Sequence, residues 1–189
     1  MSIFAREYMQ GTYVPKHPEK CLNYNGQVPN AKPITFRSSW ERRLCNFCDE
    51  QDNVLAYGSE ILKIPYYSKQ DGKTHNYITD FVMFVKSRDG SVKRYVIEVK
   101  PENQTARLDE HGNVIMPPPP KKPTQKRLAS WQERCKVIER NNEKWTAARD
   151  YCYRNGFIFK VVTETELRFV ISFRKTQINN FTRKLLYLI

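Results

Sequence analysis

The sequence predicts an α/β domain in which one helix is followed by three strands, a second helix and a last strand. Three observations carry this reading. A capped apolar stripe at helical spacing starts near Ser38, and two β-rich runs, Tyr77 to Val85 and Lys93 to Val99, are joined by a tight turn. A long helical periodicity from Leu128 onward then gives way to the apolar run 157–162. At 189 residues and 40% hydrophobic content the chain is long enough to bury a core, so one compact domain with extensions is expected.

Each element has a local reason. Residues 1–33 hold Pro15, Pro18, Pro29 and Pro33 with Gly11 and Gly26 and show little periodicity, so they read as an extended N-terminal arm. Its aromatic residues, Phe4, Tyr8, Tyr13 and Tyr24, would pack on the domain or on a partner. In the first helix, Ser38-x-x-Glu41 is a capping box, and Trp40, Leu44, Phe47 and Cys48 form the apolar stripe. The run 54–67 is strand-like, closes on the turn Gln70-Asp71-Gly72-Lys73, and should pair with the strand bearing Asp80. Asp89-Gly90 within 87–90 is a strong hairpin turn. Residues 101–123, with four consecutive prolines at 117–120, cannot form a helix and read as a loop on the rim of the site. Leu128, Trp131, Cys135, Ile138, Trp145, Ala148 and Cys152 then mark a second helix, or a pair split at Asn141-Asn142, ending at Asn155-Gly156. In the basic extension 166–189, Ile178, Phe181, Leu185 and Leu188 with Arg183 and Lys184 outline an amphipathic helix.

Charge in the central hairpin needs a reason. Asp80 sits among apolar β formers, and Glu98 and Lys100 flank Val99, so a period of two puts them on one face. Burying an ionised group costs several kcal/mol unless it is paired or bound to metal. Asp80 and Glu98 are hard oxygen ligands suited to Mg²⁺, with Mn²⁺ as a substitute. Lys100 can orient or deprotonate an attacking water and stabilise charge growing on a phosphate. The bland alternative is a solvated Glu98/Lys100 pair on a surface hairpin. Glu60 and His75 are weaker candidates, read as an exposed strand residue and a turn residue.

Asp80 followed by Glu98-Val99-Lys100 resembles the PD-(D/E)xK nuclease pattern, with Thr79 where the proline usually stands. The blocks Phe36-Arg37-Ser38-Ser39-Trp40-Glu41, Phe47-Cys48-Asp49, Ser59-Glu60, Ile64-Pro65-Tyr66, Gly72-Lys73, Ile97-Glu98-Val99-Lys100-Pro101 with Gln104, and Phe159-Lys160-Val161-Val162 resemble the head completion nucleases of T4-like phages. The same outline is similar to the nuclease domain of Tn7-type transposition endonucleases. The resemblance covers roughly 30–165 and implies a restriction-endonuclease-like core, a mixed sheet flanked by helices, within a nuclease domain at 34–165. It implies DNA cutting during head completion and head-tail joining, with portal or neck proteins as partners. It also implies that Glu41, on the first helix, faces the metal site and that Gln104 orients groups there, although as a capping residue Glu41 needs no function. The competing readings are a transposition-type or junction-cutting nuclease and a non-catalytic DNA-binding structural protein.

Charge and composition narrow the partners. The net charge is +12, and residues 121–189 hold 16 Lys or Arg against 6 Asp or Glu, a net +10. Such clustering is the footprint of a polyanion partner, with Lys121, Lys122, Lys126 and Arg127, and on the first helix Arg37, Arg42 and Arg43, as the candidate DNA contacts. No apolar run approaches the roughly 20 residues of a membrane span, and no signal-peptide core is visible, so a host-cytoplasmic or virion-associated protein is expected. Five cysteines at irregular spacing do not suggest a disulfide framework. Cys45-x-x-Cys48 lacks a second pair and reads as two small buried residues one helical turn apart.

Overall fold

A computed structural model describes residues 9–105, 107–110 and 114–167. The proposed helix of the basic extension lies outside them, as do Phe4 and Tyr8. In chain order the elements are β1 (Gly11–Thr12), β2 (Thr35–Phe36), α1 (Ser39–Glu50), β3 (Val54–Ser59), β4 (Lys63–Ser68), β5 (Lys73–Ile78), β6 (Phe81–Lys86), β7 (Val92–Val99), β8 (Arg107–Leu108), β9 (Val114–Ile115), α2 (Gln125–Asn155) and β10 (Ile158–Val162). The central sheet has the order β10-β7-β6-β3, with β10 parallel to β7 and the other pairings antiparallel. The expected order of helix, three strands, helix and strand is therefore present as α1, β3, β6, β7, α2 and β10.

Two expected strands are each two. The run 54–67 breaks at 60–62, and the run 77–85 breaks at Thr79-Asp80. The pieces between these breaks, β4 and β5, leave the sheet as a separate ribbon paired from Lys63/Ile78 to Ser68/Lys73. Non-local pairing decides this. Thr79 N–H donates to Leu62 O at 3.1 Å and Glu60 N–H to Asp80 O at 3.2 Å, so the two breaks hold each other. Glu60 takes a left-handed conformation, φ +55°, which a β-branched residue at that position would resist. The turn after β6 forms as expected, with Gly90 at φ +83° and Asp89 Oδ1 accepting from Ser91 N–H at 3.0 Å.

β7 is buried on both faces over its last five residues, and its alternation separates two cores. Tyr95, Ile97 and Val99 pack with Phe81, Met83, Val85 and Val162 against Leu44, Cys45 and Cys48 of α1. On the other side Tyr77, Tyr66 and Ile64 of the ribbon pack with Trp145 and Ala148 of α2 and with Val161 of β10. α2 runs unbroken through Asn141-Asn142, because buried Asn141 donates to Gln104 O at 3.1 Å instead of breaking the helix. It ends where expected, at Gly156, φ +68°. Within the Pro-rich loop β8 and β9 form a small hairpin, and Pro117 O accepts from Trp131 Nε1 at 2.8 Å.

Residues 9–33 are irregular but are not a free arm. Tyr13, Cys21 and Leu22 are buried, β1 pairs with β2, and Cys21 bridges to Tyr57 of β3. Cys21, Cys45, Cys48 and Cys152 are likewise buried, with burial pushing each thiol up, to about 11 for Cys152. Since the thiolate is the reactive form, native protein should yield one fast-reacting thiol, Cys135, to a disulfide exchange reagent, and five after denaturation. Several fast thiols in the native protein would mean that this core is open.

Candidate active site

Phe81 pairs with Ile97, so Asp80 stands one residue past the ladder, level with Glu98. There β6 has ended, and the Asp80 side chain replaces a strand carbonyl: its Oδ2 accepts from Val99 N–H at 2.8 Å. Glu98, 2% exposed, points to the α2 side, where Tyr77 Oη donates to its Oε2 at 2.5 Å and Lys100 Nζ lies 3.0 Å from its Oε1. The sheet thus brings Asp80, Glu98 and Lys100 together. Thr79, where the pattern has proline, is fully buried, and a proline there would forfeit the N–H bond to Leu62 that fixes the strand break.

Electrostatics show the cost of this arrangement. Burial of its carboxyl group, then the charge on Glu98, pushes Asp80 up to about 8, against the pull of Lys100. Burial works against the Lys100 ammonium too, but Glu98 and Asp80 outweigh it and hold that amine above its ordinary range. Burial first, and then Glu98, raises the Tyr77 phenol, so it remains a hydrogen-bond donor. Two buried carboxylates that repel one another offer hard oxygen donors that fit a divalent cation. Mg²⁺ is commonly held by one or two carboxylates together with substrate phosphate and water.

In this structure Glu41 serves the cap of α1. Its Oε1 accepts from Ser38 Oγ at 2.8 Å and its Oε2 from Arg37 N–H at 2.9 Å, so the capping box uses both oxygens. It is close enough for its charge to raise both Asp80 and Lys100. Among the described residues no group of three or more His, Cys, Asp or Glu is placed to hold a metal ion. Gln104 ends a 3₁₀ turn, Glu102–Gln104, whose backbone is tied to α2 through Asn141. His75 pairs with Asp71 Oδ2 at 2.8 Å on the ribbon and takes no part in the cluster.

The candidate DNA contacts divide. Arg37 is ion-paired with Glu60, and Arg42 lies over the Phe36 ring at 5.8 Å and donates to Met9 Sδ at 3.2 Å. Arg43 is exposed. Lys121, Lys122, Lys126 and Arg127 are exposed around the start of α2, where Arg127 Nη1 donates to Lys122 O at 3.2 Å. One group has no signal in the sequence pattern of the site. Lys144 of α2 comes within electrostatic reach of Glu98 and Asp80 although it follows them by more than 40 residues, and only its helical spacing from Trp145 and Ala148 hints at that side of the sheet.

A family model described as TnsA-like endonuclease N terminal matches residues 51–164, which include Asp80, Glu98, Lys100 and Gln104 but begin after Glu41. The chain is also 32% identical over 161 residues to the head completion nuclease of Enterobacteria phage T4, an alignment spanning 84% of this chain and 93% of that relative. On both findings the chain belongs to the TnsA-like endonucleases: it is a nuclease, and its mixed sheet flanked by helices is the restriction-endonuclease-like core of that family.

Proposed function

We propose that the chain is a Mg²⁺-dependent DNA endonuclease, with Mn²⁺ able to substitute, that acts on phage DNA during head completion and head-tail joining. The observation that carries it is the buried Asp80/Glu98 pair with Lys100 on the same sheet face. Asp80 and Glu98 would hold the ion, which supplies a Lewis acid for the phosphate and a more acidic water. Tyr77 and Lys100 fix the Glu98 carboxylate from its two oxygens. Lys100, more exposed than Glu98, also reaches the solvent side, where it orients the attacking water and stabilises charge on the phosphate. Glu41 acts through its charge and through the α1 cap, and Gln104 positions the rim. The likeness of nearly the whole chain to a head completion nuclease supports the phage reading over a transposition-type enzyme. Portal or neck proteins are the partners we propose, with 166–189 as the basic extension beyond a nuclease domain at 34–165.

The test is cleavage of circular and of end-labelled linear DNA with Mg²⁺, Mn²⁺ or EDTA. Cutting of the circle with either metal and none in EDTA is expected. Cutting that ignores EDTA, or no cutting with any divalent ion, would sink the proposal.

The DNA track has a length. Lys126 and Lys144 are 18 residues apart on one helix, about 27 Å at 1.5 Å per residue, or about eight base pairs at 3.4 Å each. Neutralising Lys121, Lys122, Lys126 and Arg127 should therefore weaken binding of duplexes that span this length, whatever their sequence. For every phosphate that the variant no longer neutralises, the log-log salt dependence should flatten by roughly 0.7 to 0.9. An unchanged slope would move the track to Arg43 and α1.

A further inference from the structure

Beside the carboxylate pair stands a cation that no described residue neutralises. Lys144 is half-buried, and its Nζ lies 5.8 Å from the Tyr66 ring centre and 5.9 Å from that of Tyr77. Tyr77 is the residue whose hydroxyl holds Glu98 at 2.5 Å, so the ammonium adjoins the catalytic face. Among the described residues Lys144 makes no ion pair. Glu143, its neighbour in sequence, accepts instead from Lys69 N–H at 3.1 Å. One helical turn earlier, Arg140 is held by the Gln70 amide, Nη2 to Oε1 2.6 Å, again without a carboxylate.

Such a cluster is expensive when empty. Burial lowers the Lys144 amine, and Lys100 and Arg140 lower it further by like-charge repulsion, against the pull of Glu98 and Asp80. Two tyrosine faces hold an ammonium in place without cancelling its charge. The group is thus oriented and unpaired, which suits an anion that arrives with the substrate.

We propose that Lys144 and Arg140 form a phosphate seat for the phosphodiester neighbouring the scissile one. The spacing suits one strand: a helical turn advances about 6 Å, close to the rise of two nucleotides at 3.4 Å each. Lys144 takes the phosphate next to the cut, and Arg140, four residues back along α2, reaches the second phosphate beyond it. This seat holds the strand in register, so the bond presented to Asp80, Glu98 and Lys100 is fixed by the phosphates that follow it. The assignment rests on the nuclease reading above and names how that same site grips its substrate.

The test uses Lys144→Met, which keeps the methylene stem over the tyrosines and removes the charge, with Lys144→Arg as the conservative variant. The substrate is an end-labelled oligonucleotide carrying one neutral methylphosphonate linkage. The full-length parent should cut the linkage on one side of the neutral one about ten- to a hundredfold more slowly, the worth of one charged hydrogen bond. Lys144→Met should cut every linkage more slowly by a similar factor and be indifferent to the neutral one, while Lys144→Arg retains the parent's pattern. Parental rates in Lys144→Met, or an undiminished sensitivity to the neutral linkage, would overturn the seat. If the parent cuts no DNA, the nuclease chemistry fails but the seat is still decided by binding. Lys144→Met then lowers the slope of log Kd against log salt by about 0.7 to 0.9 where the seat exists, and leaves it unchanged where it does not.

Discussion

Asp80→Asn and Glu98→Gln should each lose DNA cutting by at least about a thousandfold, roughly 4 kcal/mol of transition-state stabilisation, and Asp80→Asn should melt no lower than the parent protein. The amide substitutions separate charge from packing. Asn at position 80 keeps an oxygen for the Val99 N–H, and Gln at 98 keeps the shape and one acceptor for Tyr77 or Lys100. Asn at 80 removes a buried charge that costs the fold more than it contributes, whereas Gln at 98 also takes the partner of Lys100 away. Cutting rates and thermal melting measured on the same preparations decide the matter. Loss of activity together with a drop in the melting temperature of Asp80→Asn would make the pair structural, and full activity in either variant would place the metal elsewhere.

Asp49→Ala should destabilise the protein by about 3 kcal/mol, lowering the melting temperature by about 6 to 12 °C for a chain of this size. Asp49 is 1% exposed at the end of α1, where a negative charge opposes the helix dipole. It is retained because three donors converge on it: Tyr13 Oη at 3.2 Å, Lys16 N–H at 2.7 Å and His17 N–H at 3.1 Å. Lys20 Nζ adds bonds to Asp49 O at 2.9 Å and Gln51 O at 2.7 Å, closing the helix end. Without the carboxylate the three donors lose their acceptor and residues 13–20 lose their anchor, so protease should cut there first. An unchanged melting temperature would show that Tyr13 and Cys21 hold this segment by packing alone.

Short-range physics made much of this protein legible from its residues. The capping box at Ser38 and Glu41, the turn at Asp89-Gly90 and the helix end at Gly156 each depend on a few adjacent residues, and all three form. The pairing of Glu98 with Lys100 follows from the period of a strand, and the demand for a compensating partner follows from burying charge in apolar β formers. Where the runs 54–67 and 77–85 break is a matter of long-range contact, because it rests on Thr79 and Glu60 bonding across to Leu62 and Asp80. Folding also drew residues 13–22 into the core through Asp49, and brought both Glu41 oxygens onto the start of α1. Lys144 reaches the site for the same kind of reason. Packing α2 against the ribbon sets its ammonium over Tyr66 and Tyr77, and such a contact between residues some 70 positions apart leaves no periodicity in the chain to read.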